Sequence, residues 1–479
     1  MLVQTQRQFA ILMTGCVVVA LAGLSGCGQS GFDSHFVYSA KTESLMKEAR
    51  EGTGDLPGIK DLVDEQFGTP QELNAWTKLP IDFGGVSGTI SANPDASIAI
   101  KELKIDFEAE IQTDDSVPML VQFVTGAAAP AVVQVENWSA ENGIASLTAA
   151  METAPAAGDT VVLNGGGHLK QGRQLYMRHC SHCHGTSGDG NGPTAEYLNP
   201  RPRDYRHGVF KFTSTTAQAK VARTDIHRVL RNGIPGTYMP SFVPMLDEEE
   251  VDIVVEYVRF LAMRGEFERK LVSEVSSDYS EEAVTNRKAD GESRGDIVQE
   301  LKAFLAEDLS DSMQLVSGEL ADAWTNADTK DAAIIPKVSR IPNSEESRRI
   351  GRELYLSSAI NCADCHGISG KGNGPQTTIF EKNPVTQKLY SEPGLHDVWD
   401  NVNQPRNLTL GIYRGGRRPI DLFCRIHAGI KGSRMPSFKN LKHEDIWHIV
   451  NYVLSIPFEV EPGHGPTPAA KSAAAAPAQ

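Results

Sequence analysis

Beyond its first 27 residues the chain has no apolar run approaching the roughly 18 uninterrupted residues that a membrane-spanning helix requires. That lack argues against an integral membrane protein. It also lacks a basic excess: 46 Lys and Arg face 61 Asp and Glu, for a net charge of -15 at pH 7. A general polyanion binder is therefore disfavoured, and no nucleic-acid partner is expected. Glycine and proline, 43 and 26 of 479 residues, are too few for a collagen-like chain, and 40% hydrophobic residues are too many for a wholly disordered one. At roughly 150 residues per domain the length allows about three cores. Cysteine is scarce as well, with seven in all: Cys16, Cys27, Cys180, Cys183, Cys362, Cys365 and Cys424.

Four of those seven fall into one repeated string. Cys180-Ser-His-Cys183-His184 and Cys362-Ala-Asp-Cys365-His366 are both C-x-x-C-H, the attachment pattern for c-type haem. The spacing follows from the macrocycle: two sulfurs add to two vinyl groups, and the adjacent histidine is held beneath the iron as its proximal ligand. Two covalently attached haems are thus expected, on Cys180, Cys183, Cys362 and Cys365, with His184 and His366 on iron. Two other readings of C-x-x-C stand beside this one. A zinc site would need both pairs together, yet they lie about 180 residues apart and the histidines would go unexplained. Redox-active dithiols would need a βαβ setting that neither motif has.

The surroundings of the two motifs repeat. Gly172-Arg173-Gln174-Leu175-Tyr176 matches Gly351-Arg352-Glu353-Leu354-Tyr355, and HGTSGDGNGP from His184 matches HGISGKGNGP from His366. Further on, Arg203 matches Arg406, Gly208 matches Gly411, and Met239-Pro-Ser-Phe matches Met435-Pro-Ser-Phe. Each copy closes with an apolar helical stripe, Val251, Val254, Val255 and Val258 in the first and Ile446, Ile449, Val450 and Val453 in the second.

These matches resemble the class I cytochrome c family, in tandem, over roughly residues 165–265 and 346–458, within domains expected at 165–265 and 346–460. The resemblance implies a helix crossing at Gly172 with Tyr257 and at Gly351 with Tyr452. It implies that the carbonyl of Pro193 or Pro375 accepts the proximal Nδ1-H. It also implies that Met239 and Met435 are the sixth ligands, making both irons His/Met; a thioether raises the potential and closes the metal to substrates. His207, His227 and His427 fall out of register between the copies, and Met245 and Met263 have no counterpart in the second. Arg203 and Arg406 are candidate propionate partners, since Arg forks onto carboxylates. Cys424 is expected to be a buried free thiol.

At the N-terminus, Arg7 precedes an apolar run from Phe9 to Leu24, and Leu24-Ser25-Gly26-Cys27 resembles the lipobox of bacterial lipoproteins. The expectation is a signal peptide over 1–26 and an acylated Cys27 that anchors the body on the periplasmic face of a bacterial membrane. Residues 27–80 are expected to be a linker and 81–164 a small β-rich module, because Leu103, Ile105, Phe107, Ala109 and Ile111 alternate strictly. Residues 266–345 are expected to form an acidic helical spacer, with helices near 293–308 and 312–326, and 461–479 a disordered Ala/Pro tail. The fold class is thus mainly α: two class I cytochrome c domains with a β-rich module and a spacer. The expected role is that of an electron carrier, not an enzyme, between partners such as a terminal oxidase or a quinol-oxidising complex. A dihaem peroxidase or the haem subunit of a periplasmic dehydrogenase is the alternative.

Overall fold

The computed structural model describes residues 35–39, 42–43, 59–94, 99–111, 119–129, 131–384 and 386–459. The expected signal peptide, Cys16, the expected lipidation site Cys27 and the tail 461–479 lie outside the described residues.

A short helix α1 (Ile59–Phe67) is followed by six strands: β1 (Val86–Ile90), β2 (Ile100–Phe107), β3 (Met119–Phe123), β4 (Val132–Ser139), β5 (Ile144–Met151) and β6 (Thr160–Leu163). They close into an antiparallel barrel in the order β1-β2-β5-β4-β3-β6. Alternation fills its interior with Ile90, Leu103, Ile105, Val121, Phe123, Val135, Leu147, Val161 and Leu163. Closure removes the free edges that an open sheet of this size would expose. The strand expected at 103–111 starts earlier and ends at Phe107, because β1 pairs with β2 only as far as Gly88 opposite Phe107.

The first C-x-x-C-H unit comprises α2 (Gly167–His179), α3 (Ser181–His184), α4 (Arg223–Asn232) and α5 (Glu248–Tyr279). Helix α5 starts at a reciprocal cap between Asp247 and Glu250, with three glutamates in its first turn facing the positive helix end. It does not stop near 265, where a spacer was expected to begin, but runs for 32 residues. The reason is a continuing apolar stripe of Phe260, Met263, Phe267, Leu271 and Val275, every one buried. Helix α1 packs on it through Phe67, which meets Phe260 and Phe267 at 5.5 and 5.6 Å between ring centres. After α6 (Glu281–Ala289) and α7 (Arg294–Ala303), a π-helical turn over Phe304–Asp308 leads into α8 (Leu309–Ala327). Helix α8 inserts Leu320 and Trp324 against the same stripe, and the Trp324 indole donates to Glu266 at 3.1 Å. Residues from Phe36 to Trp324 therefore share one core.

The second unit comprises α9 (Glu345–Leu356), α10 (Cys362–His366), α11 (Pro419–Ala428) and α12 (His443–Ser455). Its core, from Ile334 to Ile456, is its own. In both units the helix before the motif crosses the closing helix at a glycine. A Cβ on Gly172 would lie 2.9 Å from the Ile253 carbonyl and from Tyr257 Cβ, and one on Gly351 would lie 2.0 Å from the His448 carbonyl. Only glycine lets the backbones approach so closely. No helix among the described residues is long and apolar enough to cross a membrane.

Candidate haem centres

Each motif is one turn of helix hung from the helix before it. Cys180 is the C-cap of α2, and its carbonyl accepts from the His184 amide at 2.9 Å. The loop that follows is fastened identically in both copies. Tyr176 Oη donates to the Gly185 carbonyl at 2.9 Å, and Tyr355 Oη to that of Gly367 at 2.8 Å. The amides of Gly190 and Gly372 donate to the carbonyls of His184 and His366, and those of Tyr205 and Leu408 to Gly188 and Gly370. These bonds bring the returning strand of chain under the histidine.

That return segment, not the loop proline, supplies the acceptor for the imidazole. Nδ1 of His184 donates to the carbonyl of Arg203 at 3.2 Å, and Nδ1 of His366 to that of Arg406 at 3.3 Å. The expectation for Pro193 and Pro375 is corrected: Gly190 N and Gly372 N fold the loop back so that the chain at 202–204 and 405–406 lies against it. In either copy the bond fixes the tautomer and leaves Nε2 free to ligate. Burial lowers His184 to about 4 and also lowers His366, so both rings are neutral at pH 7, as metal ligands must be.

Opposite the histidines, α4 and α11 end in Gly233 and Gly429, with φ of 63° and 73°, values that a side chain would strain. The loops they open are pinned by matching bonds: Ile234 N to the Met239 carbonyl at 3.0 Å, and Ile430 N to the Met435 carbonyl at 3.2 Å. The Pro-Ser-Phe that follows each methionine completes the fastening. Ser241 and Ser437 donate to the carbonyls of Arg231 and His427, and the amides of Phe242 and Phe438 to those of Leu230 and Ile426. Two of the histidines out of register are engaged elsewhere, His227 lying 3.5 and 3.6 Å from Glu248 and Asp252 and His427 stacking on Phe423. His207 borders the cavity, 3.7 Å from Asp204 and with its ring 5.4 Å from that of Trp399. Met263 is fully buried in the core, and Met245 borders the cavity half exposed.

The two centres open into one cavity of about 1550 Å³, bordered by Cys180, Cys183, His184 and Met239 of the first and Cys362, Cys365, His366 and Met435 of the second. Pockets for one small ligand hold roughly 300–1,000 Å³, so the space suits two large flat cofactors. Burial pushes the thiols of Cys180 and Cys362 up to about 12, the reverse of the lowered value a redox-active dithiol needs. Among the described residues no group of three or more His, Cys, Asp or Glu could hold a metal ion. Paired thiols beside a neutral, oriented imidazole, with a methionine across the cavity, fit haem c. Cys424 is a buried free thiol.

The two units pack about an approximate twofold axis. Gly236 of the first distal loop approaches Ile412, and Gly432 of the second approaches Val209, each 3.1 Å from where a Cβ would be. Gly236 matches Gly432 and Val209 matches Ile412 in the repeat, so each unit presents the same patch to the other, as in an isologous dimer. Phe212 and its counterpart Gly415 meet each other near the axis. The seam also holds features that sequence reasoning missed, carried by the longer stretch between Pro375 and Arg406. From it, Asp397 pairs with Lys211 at 2.9 Å, both nearly buried, and Trp399 lies under the Arg203 guanidinium at 3.7 Å. Arg406 instead donates from Nε to the Ile412 carbonyl at 2.9 Å. The unequal spacing of the repeat was the available signal.

Comparison with protein families finds the model of cytochrome c oxidase, cbb3-type, subunit III over residues 167–258 and that of cytochrome c over 349–457. No curated protein matches. Among solved structures, a chain of the reducing HAO-like protein complex of Kuenenia stuttgartiensis is similar at 21% identity with a TM-score of 0.41, covering 60% of this chain and 96% of that one.

Proposed function

From the premise that the chain carries two cytochrome c domains in tandem, we propose that it is a dihaem electron carrier that relays single electrons between extracytoplasmic respiratory partners. Electron transfer follows from the domains themselves. Bound haem supplies a one-electron couple. The chain's residues do the rest: Cys180 with Cys183 and Cys362 with Cys365 take the covalent bonds, and His184 and His366 stand as proximal ligands with their rings fixed through Nδ1. Met239 and Met435, which border the same cavity, would each supply a thioether to iron and so keep substrates off the metal. Arg203 and Arg406 border the cavity as partners for propionates.

The observation that carries this reading is the shared cavity, bordered by both sets of candidate ligands. A cavity common to both candidate centres supports transfer of electrons between them. The body sits at the periplasmic face, held by lipid on Cys27. Its partners are redox complexes such as a terminal oxidase or a quinol-oxidising complex.

Stoichiometry tests the proposal. Made together with a c-type maturation system, the chain carries two haems that survive acid-acetone extraction, and replacing Cys180 and Cys183 by Ala leaves one. Retention of both after that change would sink the first centre.

A further inference from the structure

The approximate twofold symmetry breaks at the two distal-loop glycines. At Gly236 the distal loop of the first unit is covered by the Arg406 guanidinium, 2.5 Å from a notional Cβ. At the matching Gly432 the cover is the indole of Trp399, 2.7 Å away. Arg203, the counterpart of Arg406, is displaced onto the face of that indole. The second unit thereby reaches across the seam to the residue whose carbonyl orients His184.

Around Trp399 the charges do not balance. Lys211 lies 5.7 Å from the indole, and its field is shared with Arg203, Arg414 and Asp397. Asp397 is taken by Lys211. Among the described residues the Arg203 guanidinium forms no ion pair. Arg414 Nε and Trp399 Nε1 are buried N–H groups with no acceptor in the protein. All four of Arg203, Lys211, Trp399 and Arg414 border the shared cavity. Asp204 and Asp397 both lie in the field of Arg203, but Asp204 is held by Arg206 and Asp397 by Lys211. The Arg203 guanidinium and the two idle donors therefore lack an anion of their own, and buried donors and charges are normally satisfied. The missing partner has the chemistry of a carboxylate that arrives with the cavity's occupant.

We propose that Trp399 and Arg414 of the second unit, with Arg203 of the first, form a seat across the domain seam for a propionate carboxylate of the first haem. The assignment rests on the dihaem reading above. Arg203 belongs to the first centre through its bond to His184, and Trp399 stacks on it, so the seat serves that centre. Trp399 is a positioning residue here. Its N–H draws charge from the carboxylate, and its ring holds Arg203 in place. A less effectively neutralised carboxylate favours ferric iron, so loss of the N–H lowers the potential of the haem that owns it. The unequal covers of Gly236 and Gly432 thus make two similar centres differ in potential.

The test is Trp399→Phe, which keeps an aromatic face for Arg203 and removes only the donor. Potentiometric titration of the two-haem protein follows each centre separately, with signals assigned from the Cys180→Ala, Cys183→Ala protein, which retains the second haem alone. The expected result is a fall in the first haem's midpoint with the second unchanged, and a shift of a propionate bending mode in the resonance Raman spectrum. Arg414→Gln, on a different segment, gives the same direction and serves if the first variant does not fold. A shift in the second haem, an equal shift in both, or no shift in either overturns the seat. If instead the unmodified protein lacks two low-spin haems, it is the carrier reading that fails.

Discussion

The two haem units share one local plan and differ in how they are supported. The first is buttressed: α1, the long α5 and α8 build a core that extends from Phe36 to Trp324. The second relies on α9, α11 and α12, with a closing helix of 13 residues against 32 in the first. The second also carries the longer stretch that reaches across the seam. Repetition in the sequence thus preserves what holds the cofactor, while stability and mutual orientation come from segments that are not repeated.

The largest effect expected from breaking this contrast is at Trp324, far in sequence from either motif and fully buried. Trp324→Ala should destabilise the first unit by about 3–5 kcal/mol through the cavity it leaves. In denaturant, the methionine-to-iron band of the first haem is then lost earlier, while that of the second keeps its midpoint. Simultaneous loss of both bands would mean that the units unfold as one.

A smaller effect sharpens the comparison at the two helix crossings. Gly351→Ala forces a Cβ to 2.0 Å from backbone, whereas Gly172→Ala forces it to 2.9 Å. The first change should cost roughly 3 kcal/mol and the second roughly 1 kcal/mol, within the range for overpacking. Urea titration of each variant measures both, and the reverse order would show that the buttressed unit is the less tolerant one.

The smallest effect on the fold is expected at the chain's other end. Cys27→Ser should release the body from the membrane fraction and leave both haem spectra unchanged if, as proposed, acylation supplies the attachment. Protein that stays bound and resists salt or a mild chaotrope would require another mode of insertion.

Much of the candidate site was legible because haem attachment dictates residue types at fixed spacing. Cys180, Cys183 and His184, their counterparts, and the Met-Pro-Ser-Phe turns are local signatures, and the structure brings all of them to one cavity. The barrel was legible from period-two alternation, though its closure was not, since strand order depends on long-range pairing. The continuation of α5 was present as the stripe from Phe260 to Val275, but the acidic composition beyond 265 suggested a solvated spacer. Helix α8 covers that stripe, and sequence composition does not show which surface a helix will meet. The imidazole acceptor and Trp399 were hidden for a different reason. Both depend on chain that returns from elsewhere, Arg203 after the glycine-rich loop and Trp399 from the opposite unit, and neither contact has a fixed sequence offset.

The central claim is that both irons are closed by methionine, which makes the protein a carrier. It is tested most directly by the spectrum of the unmodified, oxidised protein beside Met239→Ala and Met435→Ala. The account predicts a low-spin protein with a far-red sulfur-to-iron band from each haem and poor carbon monoxide binding on reduction. Each substitution should abolish one band, lower one potential and open one haem. A high-spin haem in the unmodified, half-reduced protein that turns over peroxide would contradict it.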